Sequence, residues 1–146
     1  MKYMTFNRSC SYAGIANLLE EYDIHYEDHE IAKALSLPYL FLIDPKNNCY
    51  VAGAMIQFKT WFNYFLNSIS IDFIEDWFIT ETAINEFDLN EKRYMVGIKN
   101  KNNFSLQPDH AVIFVGKNNG KYNFINPKYE ESKEPEYLKN LSICLL

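Results

Sequence analysis

Along the chain, apolar residues first recur at spacings of three and four. In "SYAGIANLLEEY" these are Tyr12, Ala13, Ile15, Ala16, Leu18, Leu19 and Tyr22, a stripe that predicts a helix buried on much of its surface. Ser9 stands before it as the expected N-cap. Cys10 then occupies the first turn, where unpaired backbone N–H groups and the positive end of the helix dipole favour a thiolate. "EDHEIAKALSL" predicts a second short helix closed by Pro38, and "YLFLI" a strand ended by Asp44-Pro45. "AGAMIQFKTWFNYFLNSI" reads as one aromatic amphipathic helix with Ile56, Trp61, Phe62 and Phe65 near one side, packed in the core. "IDFIEDWFI" fits a strand, and "ETAINEFDLNEK" a helix started by Thr80 or Thr82.

The final third changes period. "RYMVGIK", "HAVIFVG" and "KYNFINP" are short β-rich runs separated by Asn, Lys and Gly, so helices come first and an antiparallel sheet follows. That order is α+β. The "NNG" between the last two runs signals a hairpin, with two registers open. A two-residue loop, Asn119-Gly120, pairs Lys117 with Tyr122 and leaves His110 and Asn126 on opposite faces. A three-residue loop with Gly120 left-handed pairs Lys117 with Lys121 and sets Asn126 across from Val112. His110, Val112, Phe114, Phe124 and Asn126 then share a face, and His110 and Asn126 become diagonal neighbours with β-carbons roughly 7–8 Å apart. The three-residue loop is the expectation adopted here.

Length and composition narrow the class. The 146 residues suit one domain spanning 1–146, and 48% apolar and 16% aromatic content marks a chain that folds. A net charge of -5 argues against nucleic acid as a partner, and no apolar run reaches the ~20 residues that would span a membrane. With no secretion signal visible after Met1, the expected location is cytoplasmic. Cys10, Cys49 and Cys144 form neither a paired framework nor a CxxC metal site. His25 and His29 in "HYEDH" have a spacing that can hold zinc on a helix but lack a third ligand, so a solvated acidic helix start is expected there.

One constellation carries chemistry. Cys10 at a helix start, with His110 and Asn126 meeting on a late strand pair, supplies a nucleophile, a base and an orienting residue. The plainer alternative is a packed structural cysteine. A wider pattern bears on the choice: "CSYAGIANLLEEY", then "YMVGIKNKNNFSL", then "HAVIFVG" and a strand ending in "INP" resemble the papain-like fold in its small C39-peptidase-like form. Within that group the chain is similar to acyltransferases related to the butirosin-biosynthesis enzyme. The resemblance implies Cys10 as nucleophile, His110 as base and Asn126 as orienter, with no bound cofactor. Ser11 stands where a glycine commonly follows the cysteine, Asn126 where Asp is usual, and no Gln precedes Cys10. Asn7 or Ser11, with Ser9 as a further choice, are the side-chain candidates for an oxyanion hole, together with the Cys10 N–H.

The activity so implied is amide formation in specialised-metabolite biosynthesis. Cys10 takes an acyl group from a thioester on an acyl carrier protein or phosphopantetheine arm, and a small amine receives it. Trp61, Phe62, Tyr94, Phe104 and Phe114 are candidates to line a dry channel. The acidic net charge opposes an acidic carrier unless a local basic face offsets it. A cysteine peptidase or amidohydrolase using the same residues, and a non-catalytic binding module of this fold, are the alternatives.

Overall fold

The computed structural model describes residues 2–5, 9–46, 48–73, 87–90, 93–100, 110–119, 121–127 and 141–143. Among the described residues, three α-helices precede a sheet: α1 (Cys10–Glu20), α2 (Asp28–Ala34) and α3 (Lys59–Ser68). A small antiparallel pair, β1 (Phe41–Asp44) and β2 (Cys49–Ala52), lies between α2 and α3 in the chain. The main sheet is antiparallel, with β3 (Tyr94–Asn100), β4 (His110–Asn118), β5 (Lys121–Ile125) and β6 (Leu141–Ile143) in the order β5-β4-β3-β6. The α+β expectation therefore holds.

Buried Tyr12, Ile15, Ala16 and Leu19 of α1 meet Ile31 of α2, Phe62, Phe65 and Leu66 of α3, and Met95 and Ala111 of the sheet. The alternate strand residues Val96, Val112 and Phe114 form a second cluster with Phe87, Tyr94 and Phe124. This is the period-2 alternation of a sheet covered on both faces. The helix meets the sheet at Gly14, where an added Cβ would come within 2.7 Å of Met95 Sδ. Tyr22, expected on the α1 stripe, falls past the end of the helix and is exposed.

The single helix expected from "AGAMIQFKTWFNYFLNSI" is corrected. Ala52 pairs with Phe41 as the end of β2, residues Gly53–Met55 form a 3-10 turn, and helix begins only at Lys59. β1 needs a hydrogen-bonded neighbour, and Gly53, at φ 54, turns the chain out of the strand where residues with a Cβ are disfavoured. Pro38 lies within a 3-10 turn, Leu37–Tyr39, after α2 has ended at Ala34. Of the expected strand in "IDFIEDWFI", residues 71–73 are irregular and the rest lies outside the described residues. The same holds for most of the helix expected in "ETAINEFDLNEK".

The hairpin differs from expectation in its loop and in the pairing of Lys117, expected opposite Lys121, and agrees in register only from Phe114 inward. Asn118 pairs with Lys121 and Lys117 with Tyr122, so the loop has two residues, with Asn119 at φ 48. Gly120 is outside the described residues. Further in, Gly116 pairs with Asn123 but Phe114 with Phe124, leaving Val115 as one extra residue in a bulge. Gly116 takes the positive φ of 140 that the bulge requires. The residue expected to be unpaired in the loop is unpaired at Val115 instead. From Phe114 inward the pairing is that of the three-residue register, which brings His110 and Asn126 to one face.

Candidate active site

Cys10 is the first residue of α1 and is half-buried. α1 packs along β4, so its N-terminus meets the first residue of that strand, the buried His110. Asn126 follows β5 and precedes Pro127, which is fully buried. His110 Nε2 lies 2.6 Å from Asn126 Oδ1. An amide oxygen only accepts, so Nε2 carries the hydrogen and Nδ1 is left for the thiol.

Charge follows that geometry. Burial pushes the Cys10 thiol up, but hydrogen bonding to His110 and the His110 charge outweigh it, joined by the Ala111 N–H and the Ser11 hydroxyl. The net result is a thiol held below its ordinary value. His110 moves the opposite way: burial opposes its charge, while Cys10 and then Asn126 raise it above the ordinary imidazole value. Each partner shifts to favour a thiolate–imidazolium pair.

Cys10, His110 and Asn126 are thus brought together. Ser11 is buried beside the thiol, but its N–H is already engaged, donating to Gln57 Oε1 at 3.0 Å. Asn7 lies outside the described residues. Ser9 occupies the N-cap position, yet its hydroxyl makes no cap and donates instead to the buried carboxylate of Asp28. The cap expected of Ser9 is therefore corrected: a tertiary acceptor takes its hydroxyl.

Gln57 is the residue that sequence reasoning missed. It precedes α3, half-buried, with Oε1 3.6 Å from Cys10 Sγ. Its neighbour Ile56 is fully buried, and the Ile56 carbonyl accepts a hydrogen bond from Tyr12 of α1. The signal was a lone amide in an apolar run, "AMIQF", far along the chain from the candidates Asn7, Ser9 and Ser11 that flank Cys10.

Of the aromatics suggested for a channel, Phe62, Tyr94 and Phe114 pack in the core clusters. Phe62 packs edge-on to Tyr12 at 5.5 Å, and Tyr94 stacks on Phe87 at 3.9 Å in the cluster that holds Phe114. Trp61 is half-buried against the helical core, and Phe104 lies outside the described residues. His25 bonds Glu20 and His29 bonds Thr5, and no three metal-ligating side chains gather among the described residues. No described helix is long and apolar enough to cross a membrane. Compared with protein-family models, curated proteins and solved structures, the chain matches none.

Proposed function

We propose that this chain is a cysteine-dependent acyltransferase of papain-like type, with Cys10 as nucleophile, His110 as base and Asn126 as orienter. The observation that carries the reading is the line from Cys10 at the first position of α1, through His110, to Asn126 Oδ1 at 2.6 Å from Nε2. The opposed shifts of the thiol and the imidazole support it.

The Cys10 thiolate attacks the carbonyl carbon of an acyl thioester. The oxyanion that forms is held by the Cys10 N–H and by the amide nitrogen of Gln57, whose oxygen is anchored by Ser11. The departing thiolate takes the proton of His110, leaving the acyl group on Sγ. An amine then attacks that carbonyl and gives a proton to His110, and the amide leaves as the Cys10 thiolate is restored. Exchange between thioesters is nearly neutral in energy, so positioning and exclusion of water dominate. The donor is a thioester on a carrier protein or phosphopantetheine arm, the acceptor a small amine in specialised-metabolite synthesis, and the compartment cytoplasmic.

Intact mass spectrometry after exposure to a simple acyl thioester tests this, with wild type beside Cys10→Ala and an amine added afterwards. A Cys10-dependent adduct that leaves as amide faster than as free acid is expected. Release as free acid identifies a hydrolase using the same residues. No adduct, together with a thiol that resists alkylation, identifies a non-catalytic module. Gln57→Ala should slow acylation by roughly 10²–10³-fold, the usual effect of losing one oxyanion donor.

A further inference from the structure

We propose that Asp28, the first residue of α2, is a positioning residue: it decides which group caps α1 and so holds Gln57 against the thiol. The backbone N–H at the second position of a helix needs an acceptor from outside the helix, and a serine hydroxyl at the N-cap ordinarily supplies it. Here that N–H belongs to Ser11 and the available hydroxyl to Ser9. Asp28 draws the hydroxyl away: Ser9 Oγ donates to Asp28 Oδ2 and makes no cap bond. The Ser11 N–H is thereby left to Gln57 Oε1 at 3.0 Å, and the same oxygen comes to 3.6 Å from Cys10 Sγ.

Asp28 is built to hold Ser9. It is fully buried at the start of α2, whose first turn is closed by the reciprocal Glu27–Glu30 capping box. Its Oδ2 also accepts the Thr5 N–H at 2.7 Å, and its Oδ1 accepts the Thr5 hydroxyl and the His29 N–H, the latter at 2.8 Å. All four of these partners donate, which suits a carboxylate better than any side chain with a donor of its own. The segment before α1 and the first turn of α2 are tied to one buried group, and Ser9 is the arm that reaches toward the nucleophile.

The chain of contacts makes a specific reversal testable. Without Asp28, the Ser9 hydroxyl is free to turn back and cap Ser11, competing with Gln57. Removing Ser9 as well abolishes the competitor, and Gln57 should return. The readout is the midpoint pH of Cys10 alkylation by iodoacetamide, followed by mass spectrometry well below each variant's melting temperature. Among the described residues, the titratable group bonded to the thiol is His110, present in every variant.

Because the partly negative Gln57 Oε1, 3.6 Å from Sγ, disfavours a thiolate, its loss lowers the midpoint, by ~0.3–0.5 unit for a weak contact. Gln57→Ala and Asp28→Ala should show that same downward shift. Ser9→Ala and the double variant Asp28→Ala/Ser9→Ala should both keep the wild-type midpoint. Should Asp28→Ala fail to fold, the isosteric Asp28→Asn should give a smaller shift in the same direction, again cancelled by Ser9→Ala. A single Asp28 variant that keeps the wild-type midpoint, or a double variant that does not recover, overturns the proposal. So does an upward shift, which would mean loss of the His110 contact.

The inference rests on reading Cys10 as a reactive thiol. A wild-type thiol inert to iodoacetamide overturns both together. Midpoints that behave as expected in a protein that never takes an acyl group overturn the transferase reading alone.

Discussion

Replacing Gly116 with alanine tests whether the bulge sets the register of the site. The new methyl group would have Leu89 Cδ1 at 3.7 Å as its nearest neighbour, an ordinary contact, so crowding adds nothing. The whole effect comes from φ, since Gly116 sits at 140, where a residue with a Cβ is strained by roughly 1–3 kcal/mol. At ~2–4 °C per kcal/mol for a chain of about this size, the melting temperature should fall by roughly 2–12 °C. The strain can be relieved by flattening the bulge, but a one-residue slip turns alternate side chains to the opposite face and carries Asn126 away from His110. Deleting Val115 in the same variant should restore both properties. It joins Phe114 directly to position 116 and keeps the pairs Phe114↔Phe124 and Gly116↔Asn123 in a regular ladder, and Val115 is 44% exposed. Thermal melting followed by circular dichroism, with the Cys10 alkylation profile beside it, reads the two effects. A Gly116→Ala protein that melts like wild type, or a deletion that fails to rescue it, would refute the reasoning.

Stability should respond to pH on both sides of neutrality. Cys10 titrates below its unfolded value, so its contribution is complete above about pH 8.5 and fades as pH falls through the folded value. His110 titrates above its own, so its contribution is complete below about pH 6.5 and fades as pH rises through the folded value. The stability difference between wild type and Cys10→Ala, measured by urea unfolding, should shrink as pH falls through the folded thiol value and, on the alkaline side, as pH rises through the folded imidazole value. Asn126→Asp places a negative charge on the Nε2–H of His110, and NMR titration of the ring should show its pKa raised further. Tyr12→Phe leaves the Ile56 carbonyl without its hydroxyl partner, which should destabilise the fold by about 1–3 kcal/mol and slow acylation more than alkylation, because Gln57 is the next residue.

How far the site was legible depended on the kind of signal. Helical spacing in "SYAGIANLLEEY" was strong because that helix is buried on most sides, and Cys10 fell at its start as expected. The meeting of His110 and Asn126 was one of two readings of the hairpin: a strict two-residue loop sets them on opposite faces, and one unpaired residue between them sets them on the same face. Local chemistry did not say where. The loop looked suited to it, whereas the glycine that takes the positive φ sat inside an otherwise good strand, "HAVIFVG". β2 was missed because "CYVA" is four residues long and runs straight into an apolar stretch that reads as helix. Ser9 was placed correctly and its role misjudged, since propensity at a cap position does not reveal a buried acceptor 19 residues away. Gln57 belongs to the same class, being joined to Cys10 only by the folded chain.

Cys10 rides on a helix and His110 with Asn126 on a hairpin, and the seam between them includes the close approach of Gly14 to Met95. Thiol reactivity is therefore a built-in gauge of how the helix is seated. Small slides that leave every helix and strand intact will register as a change in alkylation rate, so that on gradual addition of denaturant the chemistry should fail before the circular dichroism does. Loss of thiol reactivity by distant core substitutions is then a matter of alignment first and of unfolding second.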